Sequence, residues 1–275
     1  LIPSHIETPS PRRDAPIGVF DSGIGGLSVL NALRAALPHE RFVYFADTAH
    51  APYGERSQAD VVERTRHVAA HLQQAHAVKA LVVACNTATA AAIHLLRADY
   101  PSLPLVGLEP ALKPAVTRSA TRHVAVLATR NTVTSHKFEA LRASLANEVR
   151  FSVVACDGLA GAIERGDDAE IAVLCARHVR AAGSFGTAPG QIDTLVLGCT
   201  HYPFVAPELR RHTGEAVRFI DTGEAVARQT QRLLDAAGLL AADGAGGTLF
   251  TGSGPAAALD AAVARWAIQP AVAAA

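Results

Sequence analysis

The sequence lacks an excess of either charge. Lys+Arg and Asp+Glu both number 25 in 275 residues, so the formal net charge is zero. That removes the bulk electrostatic case for nucleic acid or an acidic membrane surface as a partner. Methionine is absent, and only Lys79, Lys113 and Lys137 are lysines. None of the three sits in a recognisable pyridoxal motif. No run of about 18 apolar residues is available to span a membrane. The opening LIPSHIETPSPRRDAP is polar and proline-rich, without the apolar core of a signal peptide. No CxxC pair exists among Cys85, Cys156, Cys175 and Cys199, and the 12 histidines show no HExxH spacing. Zinc-ribbon, thioredoxin-type and metalloprotease sites are therefore unsupported. A chain this long needs no disulfide staples. The expectation is a cytoplasmic protein with reduced thiols.

What is present is a rhythm of short apolar runs. Strands are expected at Ile17–Asp21, Phe42–Asp47, Ala80–Cys85, Leu105–Leu108, His123–Thr129, Arg150–Cys156, Thr194–Cys199 and Arg218–Asp221. Most are continuously apolar, as strands buried on both faces are. The spacing leaves room for a helix between most of them, with one expected near Leu27–Ala36. That is the βαβ order of an α/β fold with parallel sheets. The segment Ala241–Gly247 is expected to be a loop, and Pro270–Ala275 to be frayed.

Two stretches are alike. Leu81–Thr87 (LVVACNT) and Leu195–His201 (LVLGCTH) are each an apolar strand, a cysteine and a polar turn leading to a helix. Ligands in open α/β sheets bind beyond the C-terminal strand ends. A helix N-terminus there favours a thiolate. One such cysteine is more often simply buried; two in matching contexts point to paired chemistry. Racemisation at a carbon acid needs a base on one face and an acid on the other, and two thiols can exchange those roles. Cys156 is followed by Asp157-Gly158 and is a weaker candidate, and Cys175 lies in a helical run over 169–182 and reads as packing.

The turn Phe20–Ser28 (FDSGIGGLS) joins a strand to a helix. It resembles a dinucleotide fingerprint with Asp47 following at a suitable distance, but Ser28 stands where GxGxxG requires glycine. Asp21 also sets a carboxylate where a pyrophosphate would lie. The turn is either a structural need for glycine or a way of aiming Asp21 and Ser22 into a site. Pro52-Tyr53-Gly54 is either a surface turn or a carboxylate cradle. Thr129 and Thr132 are either helix caps or ligands. His201 can serve Cys199 as a proton partner. Glu164, in a short helix over 158–165, reads by itself as a solvated charge.

Seven segments then carry a resemblance. FDSGIGGLSVL (20–30), ADTAHAPYGERS (46–57), VVACNTATA (82–90), ATRNTV (128–133), LGCTHYPF (197–204), IDTGEAVA (220–227) and TLFTGSG (248–254) resemble the glutamate racemase family, within the aspartate/glutamate racemase superfamily. The resemblance implies two similar α/β domains with mainly parallel sheets, related by a pseudo-two-fold axis, with the site at their interface. Residues 16–108 plus 222–270 would form one domain and 109–221 the other, after a flexible extension over 1–15. It implies no cofactor, glutamate as the small-molecule substrate, a homodimer, and a product, D-glutamate, that feeds peptidoglycan synthesis. Cys85 and Cys199 would be the acid/base pair, with Cys85 serving D-glutamate and Cys199 serving L-glutamate. Asp21 would assist Cys85, and His201 would assist Cys199. Glu164 matches the family's auxiliary glutamate, although the preceding CDGLAGAI departs from the bulkier, proline-rich run of many relatives. Substrate contacts would come from Asp21, Ser22, Pro52, Tyr53, Gly54, Asn86, Thr87, Thr132 and Thr200. Open alternatives are an aspartate racemase, a one-thiol decarboxylase and a nucleotide-binding module.

Overall fold

A computed structural model describes residues 12–267. The expectations for the first residues and for 270–275 lie largely or wholly outside that range. Among the described residues nine strands form two sheets. They are β1 (Ile17–Asp21), β2 (Arg41–Ala46), β3 (Ala80–Val83), β4 (Leu105–Gly107), β5 (His123–Ala128), β6 (Arg150–Ala155), β7 (Thr194–Gly198), β8 (Arg218–Ile220) and β9 (Gly247–Gly252). The first sheet has the order β4-β3-β1-β2-β9 and the second β6-β5-β7-β8. Every pairing is parallel.

Helices cover both faces of each sheet, which is why the central strands are apolar without alternation. On one face of the first sheet Ile17 and Val19 meet Leu30, Leu33, Val226 and Leu234 from the helices Leu27–Ala36 and Gly223–Ala236. On the other, Phe20 and Leu81 meet Val68, Leu72 and Leu96 from Gln58–His76 and Asn86–Asp99. The second sheet is sandwiched in the same way. Each fully buried aliphatic side chain of this kind stabilises by about 1.5–3 kcal/mol.

The chain crosses to the second sheet after β4 and returns after β8. Parallel strands send all their C-terminal ends the same way, so β1, β2 and β3 deliver Asp21, Asp47 and Cys85 to one edge. β5 and β7 deliver Thr129 and Cys199 to the facing edge. Two expectations need correction. Strands were expected to run through the cysteines, but pairing stops at Val83 and Gly198, so both thiols stand on the turns beyond. No strand was expected after the loop over 241–247, yet Gly247–Gly252 pairs with β2 along its whole length. It is a half-exposed edge strand flanked by glycines, so it carries no continuous apolar run.

Candidate active site

Cys85 is the N-cap of the helix Asn86–Asp99, and its sulfur accepts from the Ala88 amide at 3.5 Å. The thiol points at Ser22 Oγ, 3.7 Å away. It is 5 % exposed. The expected depression of its pKa by the helix terminus does not prevail. Burial, and then the neighbouring Asp21 charge, push the Cys85 thiol up to about 12, against the Ala88 and Ser22 hydrogen bonds and with a further contribution from Cys199.

Asp21 lies wholly buried under the glycine turn. Its Oδ1 accepts from the Gly23 amide at 2.8 Å and from Ser22 Oγ at 3.2 Å, and its Oδ2 accepts from Thr200 Oγ1 at 3.0 Å. Asp21 therefore reaches Cys85 through Ser22. Burial raises its carboxyl to about 6, the opposing pull of His201 and of the Gly23 amide notwithstanding. Tyr44 Oη supports the turn from below by donating to the Gly23 carbonyl at 2.7 Å. Tyr44 carried no sequence signal beyond its place in an apolar strand.

Cys199 stands just beyond β7 of the second sheet. It is followed by the short 3-10 segment Tyr202–Val205, so the expected helix start is displaced to Ala206–Thr213. Its sulfur lies 3.5 Å from His201 Nδ1, and His201 Nε2 lies 2.5 Å from Glu164 Oε1. Glu164 is thus no solvated charge: its side chain is 15 % exposed and its Oε1 also accepts from the Ile24 amide at 2.8 Å. Burial opposes an imidazolium at His201, but the Cys199 and Glu164 partners together hold its pKa well above the usual histidine range.

Threonines close the site between the sheets. Thr129 Oγ1 is 3.0 Å from Thr87 Oγ1 and 2.9 Å from Thr132 Oγ1. Thr129 also caps its own helix through the Thr132 amide, which is the structural one of its two readings. Asn86 Oδ1 is buried without a hydrogen-bond partner among the described residues, an acceptor suited to an ammonium donor.

Pro52-Tyr53-Gly54 is anchored rather than loose. Tyr53 Oη donates to Asp47 at 2.6 Å, and Arg64 clamps the same carboxylate at 2.9 and 3.0 Å. The Asn131 amide donates to the Tyr53 and Arg56 carbonyls, tying this loop to the second sheet. Sequence reasoning missed Arg64 and Asn131. Arg64 sits nearly two turns beyond the N-cap Ser57 in a helix whose other charges are exposed, and nothing in its neighbours marks it. Among the described residues no group of three His, Cys, Asp or Glu side chains is arranged to hold a metal ion. No described helix is long and apolar enough to cross a membrane.

Residues 24–230 match the family model for Asp/Glu/Hydantoin racemases. The chain is 47% identical over 246 residues to a glutamate racemase of Pseudomonas syringae pv. tomato, covering 89% of this chain and 87% of that one. Its fold is similar to that of a glutamate racemase isoform from Bacillus anthracis, with a TM-score of 0.82 and 31% identity over 93% and 94% of the two chains. It is also similar to the Escherichia coli glutamate racemase solved with L-glutamate, with a TM-score of 0.71 and 36% identity over 80% and 83%.

Proposed function

This chain belongs to the Asp/Glu/Hydantoin racemase family, and on that premise we propose that it interconverts L- and D-glutamate by proton transfer between two thiols. The observation that supports the mechanism is that one carboxylate bridges the surroundings of Cys85 and Cys199: Asp21 accepts from Ser22, the partner of Cys85, and from Thr200, the neighbour of Cys199. Each thiol is buried at a strand end of a different sheet, and each has its own polar partner, Ser22 with Asp21 on one side and His201 with Glu164 on the other.

One thiolate removes the Cα proton. The electron pair passes into the adjacent carboxylate, and the opposite thiol returns a proton to the other face. Cys85 takes the proton from D-glutamate and Cys199 from L-glutamate. Asp21, Ser22 and Asn86 receive the ammonium. Thr87, Thr132, Thr200 and the backbone of Pro52, Tyr53 and Gly54 receive the carboxylates. No cofactor enters this scheme. Residues 16–108 with 222–270 act as one domain and 109–221 as the other, in keeping with the division of strands between the sheets.

The same reading includes a cytoplasmic homodimer that supplies D-glutamate for peptidoglycan. Light scattering on the purified protein checks the dimer. The chemistry is tested with Cys85→Ser and Cys199→Ser. Circular dichroism of D- or L-glutamate, without added pyridoxal phosphate, should show racemisation lost in both. Full activity in either variant excludes the two-thiol mechanism, and turnover of aspartate in place of glutamate excludes the substrate.

A further inference from the structure

The glycine turn of the first sheet bears the imprint of a side chain from the second. Neither Gly23 nor Gly25 adopts a left-handed φ, so neither backbone conformation by itself demands glycine. What demands it at Gly23 is one residue. A Cβ there would lie 1.8 Å from Glu164 Oε1, 2.6 Å from its Cδ and 3.0 Å from its Oε2. At Gly25 a Cβ would lie 2.4 Å from His201 Nδ1 and 2.5 Å from Thr200 Oγ1. The turn is therefore pressed against the Glu164–His201 pair, and the Ile24 amide, between the two glycines, donates to the same Glu164 oxygen that receives His201.

We infer that Gly23 and the Ile24 amide are positioning elements for Cys199, seating the Glu164 carboxylate under His201. The proton relay of one thiol is thus completed by backbone from the sheet that carries the other thiol. Ile24 is 140 residues from Glu164 in sequence, so the relay is assembled only where the two sheets meet. This rests on the two-thiol reading above, but it concerns residues that reading does not use.

A methyl group at position 23 would not break the turn. The atoms in its way are the far end of a flexible side chain, which can swing aside by giving up its hydrogen bonds to Ile24 and His201. Gly23→Ala is therefore expected to fold and to lower kcat by on the order of 10–100-fold, the scale of a misplaced catalytic partner. KM for glutamate should change by less than about threefold. Without its anionic neighbour the His201 imidazolium deprotonates more easily, so the limb of the kcat–pH profile governed by His201 should move to lower pH.

The deciding experiment is a double-mutant cycle of Gly23→Ala and Glu164→Ala, read both as kcat and as the thermal midpoint. With alanine at position 164 the obstacle is gone. The Gly23→Ala change should then cost less than about twofold in kcat and leave the midpoint where Glu164→Ala alone puts it. An equal loss with and without Glu164, or no loss in the single variant, overturns the inference. A wild-type protein that exchanges no Cα proton of D- or L-glutamate in heavy water instead refutes the functional reading. The midpoint cycle still decides the coupling of positions 23 and 164 in that case.

Discussion

Replacing Asp21 by asparagine is expected to stabilise the protein at neutral pH while damaging catalysis. The carboxyl is fully buried, and burial raises its pKa from 3.8 to about 6 in the folded state. A raised carboxyl pKa means that the native state holds the proton more tightly than the unfolded chain. Its stabilising contribution is therefore complete below about pH 4, falls as pH rises, and is gone once pH passes about 6. A shift of this size corresponds to about 3 kcal/mol of stability forfeited by the aspartate at neutral pH. Asparagine carries no charge and can still accept from the Gly23 amide, while the Thr200 hydroxyl can turn to accept from its amide. Urea unfolding of the two proteins at pH 4, 5, 6 and 7.5 measures the difference. It should be near zero at pH 4, grow through pH 4–6 and level off near 2–3 kcal/mol, the scale of that pKa shift. Racemisation should fall by about 10²-fold, the scale of a lost acid/base assistant. A pH-independent difference, or a variant less stable at pH 7.5 than at pH 4 relative to wild type, would refute the claim that burial dominates this carboxylate.

Other perturbations address separate parts of the molecule. Lys79 is buried with its Nζ 2.6 Å from Glu40 Oε2 and 2.8 Å from the Leu239 carbonyl, at the strand ends away from the thiols. Lys79→Ala should cost about 3–5 kcal/mol in denaturant unfolding, since it strands a buried carboxylate, and kcat of the folded protein should hold. Asp47 is held down to about 2, burial notwithstanding, by Arg64 and the Tyr53 hydroxyl. Its contribution to stability should persist above about pH 4 and be lost as pH falls toward 2, and Arg64→Ala should move that acid transition upward in circular dichroism. Cys156 and Cys175 belong to the core of the second sheet. Cys156→Ala and Cys175→Ala should each lose about 1–2 kcal/mol of stability from the small cavity, and steady-state assays should find kcat within about twofold of wild type.

The sheets were legible because parallel strands covered on both faces must be continuously apolar. β1, β3, β5 and β7 stand out for that reason alone. β9 escaped because an edge strand with one half-exposed face obeys no such requirement, and Gly247 and Gly252 at its ends read as turn residues. The thiols were legible as a pair because the strand–cysteine–turn pattern occurs twice. Their environments were not. Helix-start reasoning took account of the partial charge on Cys85 but not of desolvation or of Asp21, and those two outweigh it. Glu164 shows the opposite failure. Its neighbours in sequence say surface, and only the arrival of Ile24 and His201 from distant parts of the chain makes it part of the site.

The glycines of the first turn tie these strands together. A glycine-rich turn between a strand and a helix is usually explained by backbone freedom or by a phosphate, and neither holds for Gly23. Its φ is ordinary, and the space a side chain would fill is already taken by a carboxylate. A missing Cβ can thus record a contact that is invisible along the chain. The two thiols are correspondingly unlike. Cys85 rests in a buried pocket beside an anionic Asp21, which opposes loss of its proton. Cys199 faces an imidazole whose own proton is held in place by Glu164. An ammonium bound beside Asp21 and the free Asn86 Oδ1 would offset the charge that opposes a Cys85 thiolate, so the base on that side forms most readily when its substrate is present. On the other side the proposed relay would come from the protein itself, through the turn whose Ile24 amide meets Glu164. On the proposed reading, substrate and product are mirror images of equal free energy, yet they would meet two differently built bases.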